Sequence, residues 1–289
     1  MKRYVLMFML TFCACMSLQA QKVGMKVRFL GTGAADWEGI DERGEIRRCS
    51  SILVDGAVLV DLTAQAVDII PDGCKPEVIF YTHSHRDHFD PETAVKLGVS
   101  RVYVGASWIG RARSKFREAS FRLGLPMPEV FPIETQESVC ELGLRFTALP
   151  ANHATSDLHE QALIYLIEKD GVRVLYATDT AGLMADATQG IGIDAHKGPA
   201  QPIHGFIMEA TMGMDGDEDY RIFAHSSVGT VLRTVHVLTK TGRYTPPEGM
   251  SVYLTHLART LHGTQAELDA TLPQPLKAAY DGLEVTFEM

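Results

Sequence analysis

The residues with the most chemistry in them stand close together: His83, His85, Asp87 and His88. They end an apolar run, Val78-Ile79-Phe80-Tyr81, whose length and β-forming side chains read as a buried strand. On extended backbone His83 and His85 project to the same side, and Asp87 and His88 follow where the chain turns toward a helix. Imidazoles and a carboxylate packed this densely at a strand end predict a metal site. Three further candidates, His153, Asp179 and His256, follow the apolar runs 144–149, 172–177 and 251–255. Open α/β sheets place their ligands at such C-terminal strand ends. Taken singly, His153 could be a loop histidine, Asp179 a helix cap and His256 a satisfied core residue. Taken with the first cluster, they complete two coordination spheres.

Those residues need elements to hold them. Residues 25–30 read as a strand, 31–35 as a tight glycine loop and 36–44 as a polar surface loop. Runs 51–54 and 57–60 make a hairpin about Asp55-Gly56, and 62–70 a short helix stopped by Pro71. After the central strand, Asp90 caps a helix over 91–97 with Pro91 at its first position. A strand over 101–104 and a basic helix over 108–123 come next. Strands are expected at 138–140, 144–149, 162–168, 172–177, 205–209 and 251–255, and helices at 227–239 and 264–272. Residues 182–202 form a long loop with a short helix, and a hairpin around Asp281-Gly282 ends the chain. Two runs of hairpins, each followed by a helix and strand section, predict two similar halves packed face to face with helices outside. No domain boundary is visible after residue 24.

The chain has 289 residues and a formal net charge of −9. Residues 1–20 are set apart: Lys2 and Arg3, an apolar run from Tyr4 to Met16, then Ser17-Leu18-Gln19-Ala20. They read as a signal peptide cleaved after Ala20, which predicts a periplasmic or secreted protein. The run is too short to span a bilayer. Lipid attachment at Cys13 or Cys15 fits less well, because Phe12 and Cys13-Ala14 make poor lipoprotein cleavage boxes. Loss of Lys2 and Arg3 makes the mature chain still more acidic, which argues against general nucleic-acid binding. Cys49, Cys74 and Cys140 would remain, too few for a disulfide framework; at most one pair could form.

The string His83-x-His85-x-Asp87-His88, followed by His153, Asp179 and His256, resembles the motif set of the metallo-β-lactamase superfamily in order and spacing. Phe29-Leu30-Gly31-Thr32-Gly33-Ala34-Ala35 resembles the first strand and loop of its phosphodiesterase branch. Glu209-Ala210-Thr211, Ala224-His225-Ser226 and Leu254-Thr255-His256 resemble motifs of its tRNase Z-like and cyclic phosphodiesterase-like members. The resemblance covers nearly all of residues 25–289. It implies an α/β fold, a four-layer αββα sandwich forming a single domain. It also implies that His83, His85 and His153 hold one metal, that Asp87, His88 and His256 hold a second, and that Asp179 bridges them. Imidazole and carboxylate ligands without thiolate suit two Zn²⁺ per chain, with Mn²⁺ or Fe as alternatives. Two such ions, roughly 3.5–4 Å apart, would hold and activate a hydroxide. Asp87 could orient it.

The expected activity is metal-dependent hydrolysis of a small-molecule ester, with phosphodiesters leading. β-Lactamases proper carry a cysteine where Asp179 stands. His225 is the expected general acid, held in its tautomer by Glu209; its alternative is to cap the helix near Ser227. Arg259 either binds a phosphate oxygen or is a solvated charge. tRNA is not expected: only residues 154–178 separate His153 from Asp179, which leaves no space for the tRNA-gripping arm of that family. The cysteine-rich zinc loop of the phosphonate-pathway phosphodiesterases is reduced to Cys49. Thioester, lactone and aryl sulfate ester hydrolysis stay as alternatives, although the 257–289 tail is short for the helical domain of glyoxalase-type thioesterases. A non-catalytic metal-binding protein is the reading from another class. A homodimer is compatible with the sequence but not fixed by it.

Overall fold

The computed structural model describes residues 24–193, 201–214, 216, 219–242 and 251–289. The segment read as a signal peptide lies outside them. The strands are β1 (Gly24–Gly31), β2 (Ser51–Val54), β3 (Val58–Val60), β4 (Val78–Phe80), β5 (Arg101–Gly105), β6 (Glu129–Ile133) and β7 (Ser138–Glu141). They continue with β8 (Leu144–Pro150), β9 (Leu163–Lys169), β10 (Val172–Ala177), β11 (Gly205–Glu209), β12 (Val252–Thr255), β13 (Leu276–Ala278) and β14 (Glu284–Glu288). They form two seven-stranded mixed sheets, ordered β14-β1-β2-β3-β4-β5-β6 and β13-β12-β11-β10-β9-β8-β7. The β2–β3 and β9–β10 hairpins turn on Asp55-Gly56 and Asp170-Gly171, where both residues of each pair have positive φ as a tight primed turn requires.

Alternation along the strands sorts side chains into three cores. Val78 and Phe80 of β4, and Val172, Val174 and Tyr176 of β10, face the space between the sheets. Ile79 and Tyr81 point the other way, under α1 (Pro91–Leu97) and α2 (Ile109–Leu123). Leu175 and Ala177 point under α4 (Val228–Lys240), near α3 (Ala185–Gly190) and α5 (Gln265–Thr271). The result is helix, sheet, sheet, helix: the four-layer αββα sandwich in one domain. Between the sheets Phe80 stacks on Phe146 at 4.1 Å and on Tyr103 at 4.6 Å. Each such ring contributes about 1.5–3 kcal/mol by leaving water. Phe80 thus anchors β4 three residues before the first histidine.

The helices follow from their ends and faces. Asp90 accepts from the Thr93 backbone N at 3.1 Å, Pro91 opens α1, and Gly98 closes it at φ 78°. α4 is capped by Ser227, which accepts from the Thr230 N at 3.1 Å, and buries Val228, Val231, Val235 and Leu238 along one face.

Two local expectations are corrected, and one strand is added. The helix over 62–70 is a 3₁₀ segment, Ala64–Ile69. The turn at Asp281-Gly282 is not a hairpin: β13 pairs with β12 in the second sheet, whereas β14 crosses to pair with β1 in the first. A turn signal shows that the chain reverses, not which strand it then joins. Asp281 instead fastens this crossover, accepting from the Arg48 N at 2.7 Å and the Thr32 hydroxyl at 2.8 Å. Strand β6 was not anticipated because Pro132 lies in it; as an edge strand it tolerates a residue that cannot donate. Cys49, Cys74 and Cys140 are free thiols.

Candidate metal centre

Strands β3, β4, β8, β10, β11 and β12 all end at one rim, where the two sheets bring their loops together. Asp61 follows β3, the His83–His88 string follows β4, and His153 follows β8. Asp179 follows β10, Glu209 ends β11 and His256 follows β12. Three of these, Asp61, Asp179 and His256, leave their strands in the left-handed region, at φ 57°, 47° and 53°. Non-glycine residues in that region are uncommon and concentrate at functional sites. The conformation turns each side chain inward one residue beyond the strand for Asp61 and His256, and two residues beyond it for Asp179.

The seven expected ligands converge. The ligand atoms of His83, His85 and His153 lie within 4.8 Å of one another, as do those of Asp87, His88 and His256. His85 Nδ1 and His153 Nε2 are 3.2 Å apart, and His88 Nε2 and His256 Nε2 are 3.3 Å apart. Asp87 Oδ2 lies 3.3 Å from His88 Nε2 and 3.5 Å from His256 Nε2. Asp179 stands between the groups: Oδ2 is 2.9 Å from His88 Nε2 and 3.3 Å from His256 Nε2, while Oδ1 is 3.8 Å from His153 Nε2.

These spacings fit a metal. Ligands about 2.0–2.1 Å from a tetrahedral ion are about 3.3–3.4 Å from each other, close to what is seen here. The proton positions agree. His88 donates from Nδ1 to Asp61 Oδ2 at 2.7 Å, and His256 donates from Nδ1 to the Thr211 hydroxyl at 2.8 Å. Both Nε2 atoms then face each other and two carboxylates, an arrangement that calls for positive charge between them, a proton on His88 or a metal ion. His83 pairs through Nδ1 with the Thr82 hydroxyl at 3.0 Å, and its buried Nε2 has no hydrogen-bond partner.

The electrostatics point the same way. Burial drives His83 well below the ordinary imidazole range, and the charged rings around it add to that. Burial also opposes charge on His88, but Asp179, Asp87 and Asp61 outweigh it and raise His88 well above that range. Asp87 and Asp179 resist the same penalty: the histidines around them hold both carboxyls well below the usual carboxylate range.

Glu209 and His225 adjoin this ring. Glu209 is fully buried and accepts from the Thr180 N at 2.6 Å, the Thr211 N at 3.2 Å, the Thr211 hydroxyl and His225 Nδ1 at 3.1 Å. His225 Nδ1 is 3.6 Å from Asp179 Oδ1. Burial works against a charged His225, but Glu209 prevails by charge and hydrogen bond and pushes it up to about 9. The helix cap is Ser227, not His225. Arg259 is directed elsewhere: its guanidinium pairs with Glu42 at 3.2 Å, and its backbone N donates to Asp36.

Sequence reasoning missed Asp61, Thr211 and Glu160. Nothing local to the sequence separates Asp61 from an ordinary residue at the end of a hairpin. Thr211 was read only as part of a motif, although its hydroxyl links Glu209 to His256. Glu160 had no signal at all; its carboxylate accepts from the Ser84 N at 2.7 Å, inside the histidine string.

Residues 41–195 match the family described as β-lactamase superfamily domain. No curated protein matches the sequence. Among solved structures the fold is similar to a diphosphatase of the PhnP family (18% identity, 92% of this chain and 98% of that one, TM-score 0.64). It is also similar to the short form of human tRNase Z (16%, 91% and 100%, TM-score 0.62). A third similar structure is Zn²⁺-bound PqqB from Methylobacterium extorquens (16%, 90% and 99%, TM-score 0.59).

Proposed function

Because this chain belongs to the β-lactamase superfamily of metal-dependent hydrolases, we propose that it is a dinuclear phosphodiesterase acting on small esters outside the cytoplasm. In this reading His83, His85 and His153 would hold one ion and Asp87, His88 and His256 the other, with Asp179 between the two groups. Zinc suits the all-imidazole and carboxylate donor set. When bound, the ions would polarise the ester and bring the pKa of water from about 15.7 toward about 7.

The observation that carries the phosphodiester reading is the Glu209–His225 pair, 3.1 Å apart at the edge of the ligand ring, where His225 also lies within 4.8 Å of His153 and Asp179. Water attacks phosphorus, the ester P–O bond breaks, and the leaving oxygen needs a proton. His225 Nδ1 is held by Glu209, which leaves Nε2 to supply that proton. Glu209 keeps the ring in one tautomer, and Thr211 and Thr180 keep Glu209 in place. Arg259 reaches a substrate phosphate only by leaving Glu42.

A small substrate is favoured over tRNA. The chain between His153 and Asp179 is taken up largely by β9 and β10, which leaves no gripping arm, and the protein is acidic. The PhnP-family diphosphatase among the similar structures supports phosphoester chemistry of this size. Among the described residues no helix is long and apolar enough to cross a membrane. Residues 1–20 are the basis for placing the enzyme in the periplasm or the medium.

The test is a substrate panel run with elemental analysis of the purified protein. About two metal ions per chain, and turnover of bis-p-nitrophenyl phosphate above thioesters, lactones and aryl sulfates, are expected. Preference for one of the other esters would replace the phosphodiester reading. Two ions without turnover of any ester would favour metal binding alone, and a chain without metal would end the catalytic reading.

A further inference from the structure

Ser84 lies between two expected ligands, His83 and His85, and its loop is tied to a neighbour by buried charge. Both Ser84 groups donate to one carboxylate: the backbone N to Glu160 Oε1 at 2.7 Å and the hydroxyl to Glu160 Oε2 at 2.6 Å. Glu160 belongs to the loop that follows His153, and its side chain is 0% exposed. Within that loop Thr155 donates from its hydroxyl to Glu160 Oε2 at 3.2 Å. Arg111, from α2, completes the unit. Its Nη2 donates to Glu160 Oε2 and to the Ser84 hydroxyl at 2.8 Å, and its Nη1 pairs with Asp157 at 3.4 Å. Its guanidinium carbon also lies 5.8 Å from the centre of the Trp108 ring.

We propose that Glu160 and Arg111 form a positioning clamp joining the His83–His85 loop to the His153 loop, and so set the affinity of the metal position those three histidines make. The inference rests on the metal assignment above. Its basis is geometric. The buried carboxylate of Glu160 takes donors from both loops, and Arg111 neutralises the charge that results. Neither residue touches Asp87, His88 or His256 in this network. The other metal position is held instead through Asp61 and Thr211. The clamp therefore acts on one ion and not the other. Partners behind first ligands typically change metal affinity about 10–100-fold when removed.

The experiment uses the zinc-loaded full chain, dialysed against graded concentrations of a competing chelator, with residual zinc per chain as the readout. For Glu160→Gln and Arg111→Met, one equivalent is expected to leave at about 10–100-fold lower chelator than in wild type, while the second leaves at the wild-type concentration. With Co²⁺ in place of zinc, the visible absorption of one ion changes and that of the other does not. Asp157→Asn, whose amide oxygen can keep the 3.0 Å bond from the His159 N while the charge facing Arg111 is lost, spares the buried carboxylate and should shift the same equivalent by less. It keeps the test open should the stronger variants fail to fold. Retention of both equivalents at wild-type strength, or parallel loss of both, would overturn the clamp. Wild-type protein that holds no zinc would overturn the metal assignment and the clamp with it, a failure already visible before any substitution.

Discussion

Asp61→Asn should damage both metal positions while leaving the fold standing. Asp61 is fully buried and accepts three hydrogen bonds: from the Thr82 N at 2.8 Å, the Thr82 hydroxyl at 2.8 Å and His88 Nδ1 at 2.7 Å. Asparagine has the same shape and tolerates the left-handed backbone at φ 57°. The Thr82 N–H cannot turn, so the amide oxygen must face it. The amide NH₂ then points at His88 and at the Thr82 hydroxyl. Donor faces donor unless His88 moves its proton to Nε2, which is the atom needed for the metal. The Thr82 hydroxyl must also accept from the new NH₂, which disturbs the proton on His83 Nδ1. One ligand of each ion is thereby pushed toward the wrong tautomer. Forcing it back leaves a buried donor unpaired, about 1–3 kcal/mol. At 1.4 kcal/mol per factor of ten that is roughly 5- to 150-fold in affinity. Residual zinc against graded chelator measures it, alongside a thermal melt of the metal-free chain. Unchanged zinc retention in a folded Asp61→Asn protein would refute the tautomer argument.

His225→Ala should keep the wild-type metal content and slow phosphodiesters with poor leaving groups by about 10²–10⁴-fold, with much smaller losses on p-nitrophenyl esters. Equal losses on both classes would argue against proton donation. His262 offers a pH test: it is buried, its Nε2 donates to the Ala210 carbonyl at 2.6 Å, and burial, aided by Arg47, lowers it to about 4. Above pH 6.5 the ring is neutral folded or unfolded and adds no pH dependence. As pH falls from 6.5 toward 4 only the unfolded chain takes the proton, so stability drops by about 2–3 kcal/mol. Urea unfolding of the metal-free chain at pH 7 and pH 4.5 should show a smaller drop for His262→Asn than for wild type, and equal drops would exclude the assignment.

Much of this arrangement is readable from the chain because it is local. A strand that must be buried on both faces is a short apolar run, and its candidate metal ligands follow as a string of polar side chains; β4 and His83–His88 show both. Repetition of that pattern after β8, β10 and β12 carries the rest of the ligand set. What stays hidden depends on partners far away in sequence. Asp61 becomes a tautomer-setting acceptor only because β3 lies beside β4 in parallel register. Glu160 matters only because its loop folds over Ser84, and Asp281 closes a crossover rather than a hairpin because β1 has an edge to fill. The pairing of Arg259 with Glu42 is hidden for the same reason: a lone cation has no address until the loop opposite it is placed.

The pairing of β1 with β14 sets an order of events during synthesis. Every proposed ligand, His83 to His256, emerges before residue 284, so the rim can gather while the first sheet still lacks its last strand. Until Glu284–Glu288 arrives to lie along Gly24–Arg28, the outer edge of β1 shows unpaired N–H and C=O groups. Such an edge is a template for a strand from another chain. Strand β14 thus covers an edge that would otherwise invite self-association, and a chain cut before residue 284 would expose it.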